Sequence, residues 1–255
     1  MEDGLLALSD SGVRIEIACR LGLAELVYFP VIDSTHTYLE SRSVADLQDG
    51  LLAVADYQTA GRGQQSRKWQ AEPGASLLFS SSFRVPTCPP QILEIRVGLA
   101  VARGVSRFTT RAVMLKVPND LVVDDRKVGG ILCSTIGPVC VVGVGINCWG
   151  SVVEDASFQL PFGRLAEKPG AIDRLTMLIG IIEAIRGASP GWHGNLSCSE
   201  LCEFKSRNWL GGRRMRCVET GEIATVRALT ACGKLKLETS QGDIDLFASE
   251  IELSD

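Results

Sequence analysis

The feature that most constrains how this chain folds is a change of hydrophobic period near Arg213. Upstream, apolar residues recur at both helical and strand spacing. Downstream there are only short alternating runs punctuated by glycine turns. The runs 215–218, 223–229, 234–238, 243–247 and 251–253, with turns at Thr220-Gly221, Cys232-Gly233 and Gln241-Gly242, predict a small five-stranded barrel. Upstream, 10–23, 91–108 and 173–186 carry helical spacing, and a further helix starts at Ser34 or Thr35. Strands are predicted at 26–32, 50–56, 76–83, 113–117, 121–123, 129–136 and 139–146. Helices and strands do not alternate regularly, so the expected class is α+β rather than a doubly wound sheet. The stretch 187–199, rich in Gly, Ser, Pro and Asn, reads as a loop or a poorly formed helix between elements. A chain of 255 residues is long enough for one large and one small unit, expected at 1–206 and 207–255.

Charge narrows the function classes. A net charge of -4 with both signs interspersed does not describe a generic nucleic-acid or membrane surface. The nine cysteines form no matched CxxC pairs and read as small apolar residues and free thiols of a reducing compartment. The first residues carry acids rather than a positive n-region, and the longest apolar run is too short to span a bilayer. The expectation is a soluble cytoplasmic protein.

Four segments can carry chemistry. The loop Gly61-Arg62-Gly63-Gln64-Gln65-Ser66-Arg67-Lys68-Trp69 combines glycines that let backbone approach a ligand with forked cationic donors for carboxylate or phosphate. Its bland alternative is a solvated basic hairpin, with Trp69 filling the core or stacking on a base. In Lys116-Val117-Pro118-Asn119-Asp120 a cation, an amide and a carboxylate share one turn. That turn either joins two strands or serves a nucleotide phosphate and Mg²⁺. Lys127 precedes Gly129-Gly130 and is either an exposed strand-end charge or a point charge held against two anions. Gly143-Val144-Gly145-Ile146-Asn147 does not continue as GxGxxG, so a dinucleotide fold is a weak reading. Neither His36 nor His193 has a partner pattern for nucleophilic catalysis, and both read as incidental.

In this order the segments resemble the biotin protein ligase family, whose members carry a Ser-Thr after the first strand, a GRGRxGRxW loop, a KWPND turn, an RKxxGIL strand and a GxGIN strand. Here these are Ser34-Thr35, the stretch 58–69, 116–120, 126–132 and 143–147, and the tail resembles the family's small SH3-like barrel. The resemblance implies a mixed-sheet catalytic unit that activates biotin with ATP to biotinyl-5'-AMP. Biotin is then transferred to a lysine of a biotin carboxyl carrier protein. It implies biotin contacts from Ser34, Thr35, Gln58, Gly61, Arg62, Lys127 and Gly130, with Lys127 and Arg62 catalytic. Lys127 would bridge the biotin carboxylate and the α-phosphate. Nucleotide contacts would come from Arg67, Trp69, Lys116, Asn119 and Asn147, and Mg²⁺ from Asp120 and Asn119. Three positions depart from the pattern: Gln64 and Ser66 in the loop, and Val117 in place of tryptophan. Too few residues precede Tyr28 for a winged helix, so no DNA-binding role is expected; a homodimer stays open. Two other readings are a lipoate or octanoate ligase or transferase of the same fold, and a non-catalytic biotin binder. The acid that drives ATP–pyrophosphate exchange separates them.

Overall fold

The computed structural model describes residues 4–42, 46–64, 67–84, 88–151 and 160–254. Ser66, one of the three departures, lies outside these residues. Among the described residues a seven-stranded mixed sheet runs in the order β1-β2-β3-β7-β6-β5-β4. Its strands are β1 (Glu25–Ile32), β2 (Leu51–Gln58), β3 (Ser76–Arg84), β4 (Met114–Lys116), β5 (Asp120–Val123), β6 (Arg126–Ile136) and β7 (Val139–Asn147). The β1–β2 pair is parallel and every other pair antiparallel. This is the α+β organisation expected from the irregular alternation of elements.

The helices form where the spacing predicted them. Helix α1 (Ser11–Leu21) starts at Asp10, whose carboxylate accepts from Gly12 N at 2.6 Å, and stops at Gly22, which has φ 61°. Helix α2 (Thr35–Glu40) is capped by Ser34. Helix α3 (Pro90–Val105) ends three residues before the predicted limit, in a 3₁₀ turn over Ser106–Phe108, and α4 spans Arg174–Ala188. The loop expected at 187–199 holds for the stretch between α4 and the next helix, which the sequence reading did not anticipate. A 3₁₀ turn covers Ser189–Gly191, and a regular helix α5 (Cys198–Arg207) follows. Ser197 and Glu200 close a capping box on α5, so a Ser-x-x-Glu start signal was present in the sequence.

Strand alternation divides the core between the two faces of the sheet. On one face Leu52 and Val54 of β2 and Val142, Val144 and Ile146 of β7 join the main core with α3 and α4 residues such as Leu99, Val101, Leu178 and Ile181. On the other, Leu51 and Ala53 of β2 and Val139 and Val141 of β7 pack with Leu39 of α2 in a smaller cluster. Further along β7 this second face carries Gly143 and Gly145, so the apolar layer gives way to a cleft.

The C-terminal strands β8 (Arg214–Cys217), β9 (Ile223–Leu229), β10 (Leu235–Thr239), β11 (Gly242–Leu246) and β12 (Ile251–Leu253) form a five-stranded antiparallel sheet in the order β11-β10-β9-β8-β12. It is the small SH3-like unit. Trp209 attaches it to the larger unit: its backbone N donates to Leu115 O at 3.1 Å and its indole to Asp125 Oδ1 at 2.7 Å. Among the described residues no helix is long and apolar enough to cross a membrane.

Candidate active site

The cleft has a volume of about 590 Å³, within the range of small-molecule sites. All the residues to which the resemblance gives a binding or catalytic role line it except Gly61. Gly61 stands behind the wall: a Cβ there would lie 2.8 Å from Trp69 O and 3.2 Å from Gln58 Nε2. A side chain at 61 would displace the Trp69 carbonyl, so the tight turn of the loop needs glycine here.

One end of the cleft is neutral and hydrogen-bonding. Gln58 Oε1 accepts from Thr35 N at 2.7 Å and from Thr35 Oγ1 at 3.0 Å, and Thr35 Oγ1 lies 2.9 Å from Ser80 Oγ. Ser34 and Thr35 are each 2% exposed. Polar groups so buried are held in place by one another, and they offer a fixed pattern to a polar, uncharged ring.

The other end is cationic. Lys127 Nζ lies 2.6 Å from Asp120 Oδ1, and Lys116 Nζ 3.7 Å from Asp120 Oδ2. One carboxylate thus serves two ammonium groups. Burial lowers the pKa of Lys116; Asp120 opposes this, while the charges of Lys127 and Arg67 add to it. An additional anion here would be stabilised by charge already in place. Lys127 is held by its backbone, which pairs with Val122 in β5 and exchanges hydrogen bonds with Pro161 O and Gly163 N at 2.9 and 2.8 Å.

Asn119 and Asn147 line the cleft, and their side chains are engaged with the protein. Asn119 Nδ2 donates to Ile131 O at 3.1 Å; Asn147 Nδ2 donates to Gly163 O at 3.0 Å, and its Oδ1 accepts from Ser76 at 3.4 Å. With Asp120 already balancing two lysines and Asn119 adding only a neutral amide oxygen, these residues do not fit a Mg²⁺ ion held by the protein itself.

Trp69 lies across the cleft floor. A Cβ on Gly145 would stand 2.6 Å from its indole, and one on Gly130 3.1 Å. These glycines, on β7 and β6, are what lets the ring lie against the sheet. Gly145→Ala is therefore expected to lift Trp69 and loosen the loop it anchors through its N–H to Gly61 O at 2.9 Å. Overpacking of this kind costs roughly 1–3 kcal/mol. The Trp69 amide should exchange on the order of tenfold faster while β7 keeps its protection. Unchanged exchange at Trp69 would show that the glycine is not needed for the ring.

His36 was missed as a site residue. It is 3% exposed, lines the cleft, and its Nδ1 packs where a Cβ on Gly143 would be 2.8 Å away. Nothing in the local sequence signals this, because Gly143 lies more than a hundred residues downstream. The cleft also takes Ile251 and Glu252 from β12 and Val218, Ala248 and Ser249 from the turns beside the C-terminal strands.

Mixed sheet, SH3-like appendage and a cleft with one neutral and one cationic end give a site sized for a small molecule. Residues 28–150 match the model of the biotin/lipoate A/B protein ligase family. The bifunctional ligase/repressor BirA of Bacillus spizizenii is 30% identical over 262 residues, covering 96% of this chain and 79% of that protein. BirA of Escherichia coli is 33% identical over 180 residues, 68% of this chain; the matched stretch spans only 56% of that relative's length. The fold superimposes on a structure of the biotin protein ligase from Aquifex aeolicus in complex with biotin and ATP, with a TM-score of 0.75 at 23% identity, over 90% of this chain and 98% of that one. The chain belongs to the biotin/lipoate A/B protein ligase family, and within it resembles the biotin protein ligases.

Proposed function

We propose that this protein activates biotin with ATP to biotinyl-5'-AMP, releasing pyrophosphate, and then transfers biotin to a lysine of a carrier protein. The observation that carries the reading is the two-ended cleft. Its neutral end (Ser34, Thr35, Gln58, Ser80) suits the uncharged ureido ring of biotin, and its cationic end (Lys116, Lys127, Arg67) suits the carboxylate and the α-phosphate that must meet. Attack of the carboxylate oxygen on the α-phosphorus forms the mixed anhydride and expels pyrophosphate. The protein's part is to hold two anions together and stabilise the charge that builds between them. Lys127 bridges both, Arg62 holds the carboxylate side, and Arg67 and Lys116 hold phosphate. Trp69, Asn119 and Asn147 shape the nucleotide side. In the second step the carrier lysine attacks the acyl carbon and AMP leaves. Mg²⁺ accompanies ATP in chemistry of this class; no step is assigned to it here. All nine cysteines are unpaired, which supports a reducing, cytoplasmic setting. The test is ATP–pyrophosphate exchange driven by biotin, lipoate or octanoate, followed by transfer of labelled biotin to a carrier domain. Exchange with lipoate alone, or biotin binding without exchange, would overturn the reading.

Gln64 sharpens one expectation. It sits in the loop where the family pattern has arginine, and its Nε2 donates to Glu94 Oε1 on α3 at 3.3 Å. A charge-assisted hydrogen bond to the adenylate phosphate contributes about 1.5–3 kcal/mol and a neutral one about 0.5–1.5. The difference corresponds to a several-fold to tenfold change in retention. Gln64→Arg should slow the off-rate of pre-formed biotinyl-adenylate by about that factor without accelerating its formation, at matched ionic strength. Identical off-rates would remove position 64 from any role in holding the intermediate.

A further inference from the structure

Arg62 is carried between Gly61 and Gly63, on a stretch of backbone with little intrinsic stiffness, and its side chain is half exposed. Its guanidinium Nη1 nevertheless has a defined partner, the Oε2 of Glu40 at the C-terminal end of α2. Glu40 is itself anchored from behind. Its Oε1 lies 3.3 Å from His36 Nε2, Ser134 of β6 hydrogen-bonds the same carboxylate, and His36 Nε2 lies 3.0 Å from Ser134 Oγ.

The histidine fixes the direction of this chain of contacts. Nε2 faces a carboxylate and a hydroxyl, so it carries the proton, and Nδ1 is left as a lone pair with no hydrogen-bond partner. Nδ1 is buried against Gly143, where a second proton would have no acceptor. Burial accordingly lowers the His36 pKa, with Glu40 opposing. Burial also works to raise the Glu40 pKa, but hydrogen bonds from Ser134 and Arg62 prevail and hold it below the usual carboxylate range. The result is a neutral histidine donating toward an ionised Glu40, which turns its other oxygen to Arg62. An exposed arginine–carboxylate pair contributes little to stability. Three elements, α2, β6 and β7, and a glycine that accommodates a buried imidazole, are arranged behind this one.

We propose that Glu40, backed by His36 and Ser134, is the positioning residue that aims Arg62 at the carboxylate of the bound acid. This rests on the role given to Arg62 under the proposed function. An arginine carries five donors, so holding Nη1 orients the planar guanidinium without consuming its capacity for a second anion.

The test is a double-mutant cycle on biotin binding by titration calorimetry, with exchange kinetics alongside. Glu40→Gln should weaken biotin binding about tenfold, the scale of one charge-assisted hydrogen bond. At saturating biotin, kcat for exchange should stay within about twofold, because positioning of the ground state enters KM. In an Arg62→Ala background, Glu40→Gln should change biotin binding no further. Ser134→Ala, which removes one support of Glu40 and leaves α2 intact, should give a smaller loss that also disappears without Arg62. A loss of equal size with and without Arg62 would make Glu40 merely structural and overturn the proposal, as would tighter binding in Glu40→Gln, which would make Glu40 a competitor for Arg62. Wild-type binding and exchange serve as the separate control. If biotin drives neither, the functional reading has failed; if it drives both and the cycle shows no coupling, only the role of Glu40 has.

Discussion

Lys127→Ala is expected to lower biotin-driven pyrophosphate exchange by about a hundredfold or more, the scale found when one preorganised electrostatic contact is removed from a transition state. The side chain is 13% exposed, and its ammonium stands 2.6 Å from Asp120 in a wall shared with Lys116. Its backbone is clamped between β5 and the 161–163 segment, so the charge is already in place before substrates arrive. As the carboxylate approaches the α-phosphate, like charges converge, and a cation that need not reorganise lowers the barrier more than it tightens ground-state binding. The loss should therefore fall on kcat more than on KM. The fold should survive, because Asp120 keeps Lys116 as a partner. Lys127→Arg should rescue poorly, since a planar fork cannot replace a point charge in the same space. The measurement is exchange at saturating ATP and biotin, with far-UV circular dichroism as the folding control. Near-normal exchange in Lys127→Ala would withdraw the assignment of this residue.

The second large effect concerns stability. Arg96 of α3 is 2% exposed and gathers the chain ahead of α5. It donates to Glu200 Oε1 at 2.7 Å and Oε2 at 3.3 Å, and to the carbonyls of His193, Gly194 and Asn195 at 3.2, 3.3 and 2.9 Å. Truncating Arg96 leaves three carbonyls without this donor and Glu200 with only its capping contacts to Ser197. Arg96→Leu is expected to destabilise by about 3–5 kcal/mol, or roughly 6–20 °C in Tm for a chain of this length. Replacing both partners, Arg96→Leu with Glu200→Leu, should recover only the part due to the unpaired Glu200 charge, because the three carbonyls stay without their donor and the α5 capping box is lost as well. Thermal or urea denaturation of the three proteins decides it; a loss below about 1 kcal/mol for the single variant would show that Arg96 is not a staple of this fold.

Most elements were legible because their signals are local. The Asp10 cap and the Gly22 stop bound α1, and the five C-terminal strands lie between the glycine turns that announced them. Helix α5 was not anticipated because Gly, Ser, Pro and Asn dominate the chain before it, although its capping box is legible in the sequence. The cleft residues were legible as ordered motifs, but their division of labour was not. Gly61 packs against the Trp69 carbonyl, and Asn119 and Asn147, given nucleotide roles by the resemblance, are also tied through their amide nitrogens to Ile131 and Gly163. His36 looked incidental because, apart from Glu40 one helical turn on, its environment comes from Ser134 and Gly143 on two distant strands, which no local spacing joins to it.

The C-terminal unit completes one wall of the cleft, with Ala248, Ser249, Ile251 and Glu252 beside residues of the larger sheet. A molecule that fills the cleft to its rim therefore meets its full set of contacts only while both sheets are folded. Its binding free energy is by linkage added to the stability of each. The two sheets already share one apolar core, through Val226, Leu235 and Leu237 beside residues of α3, and ligand adds to that coupling as its concentration rises above its dissociation constant.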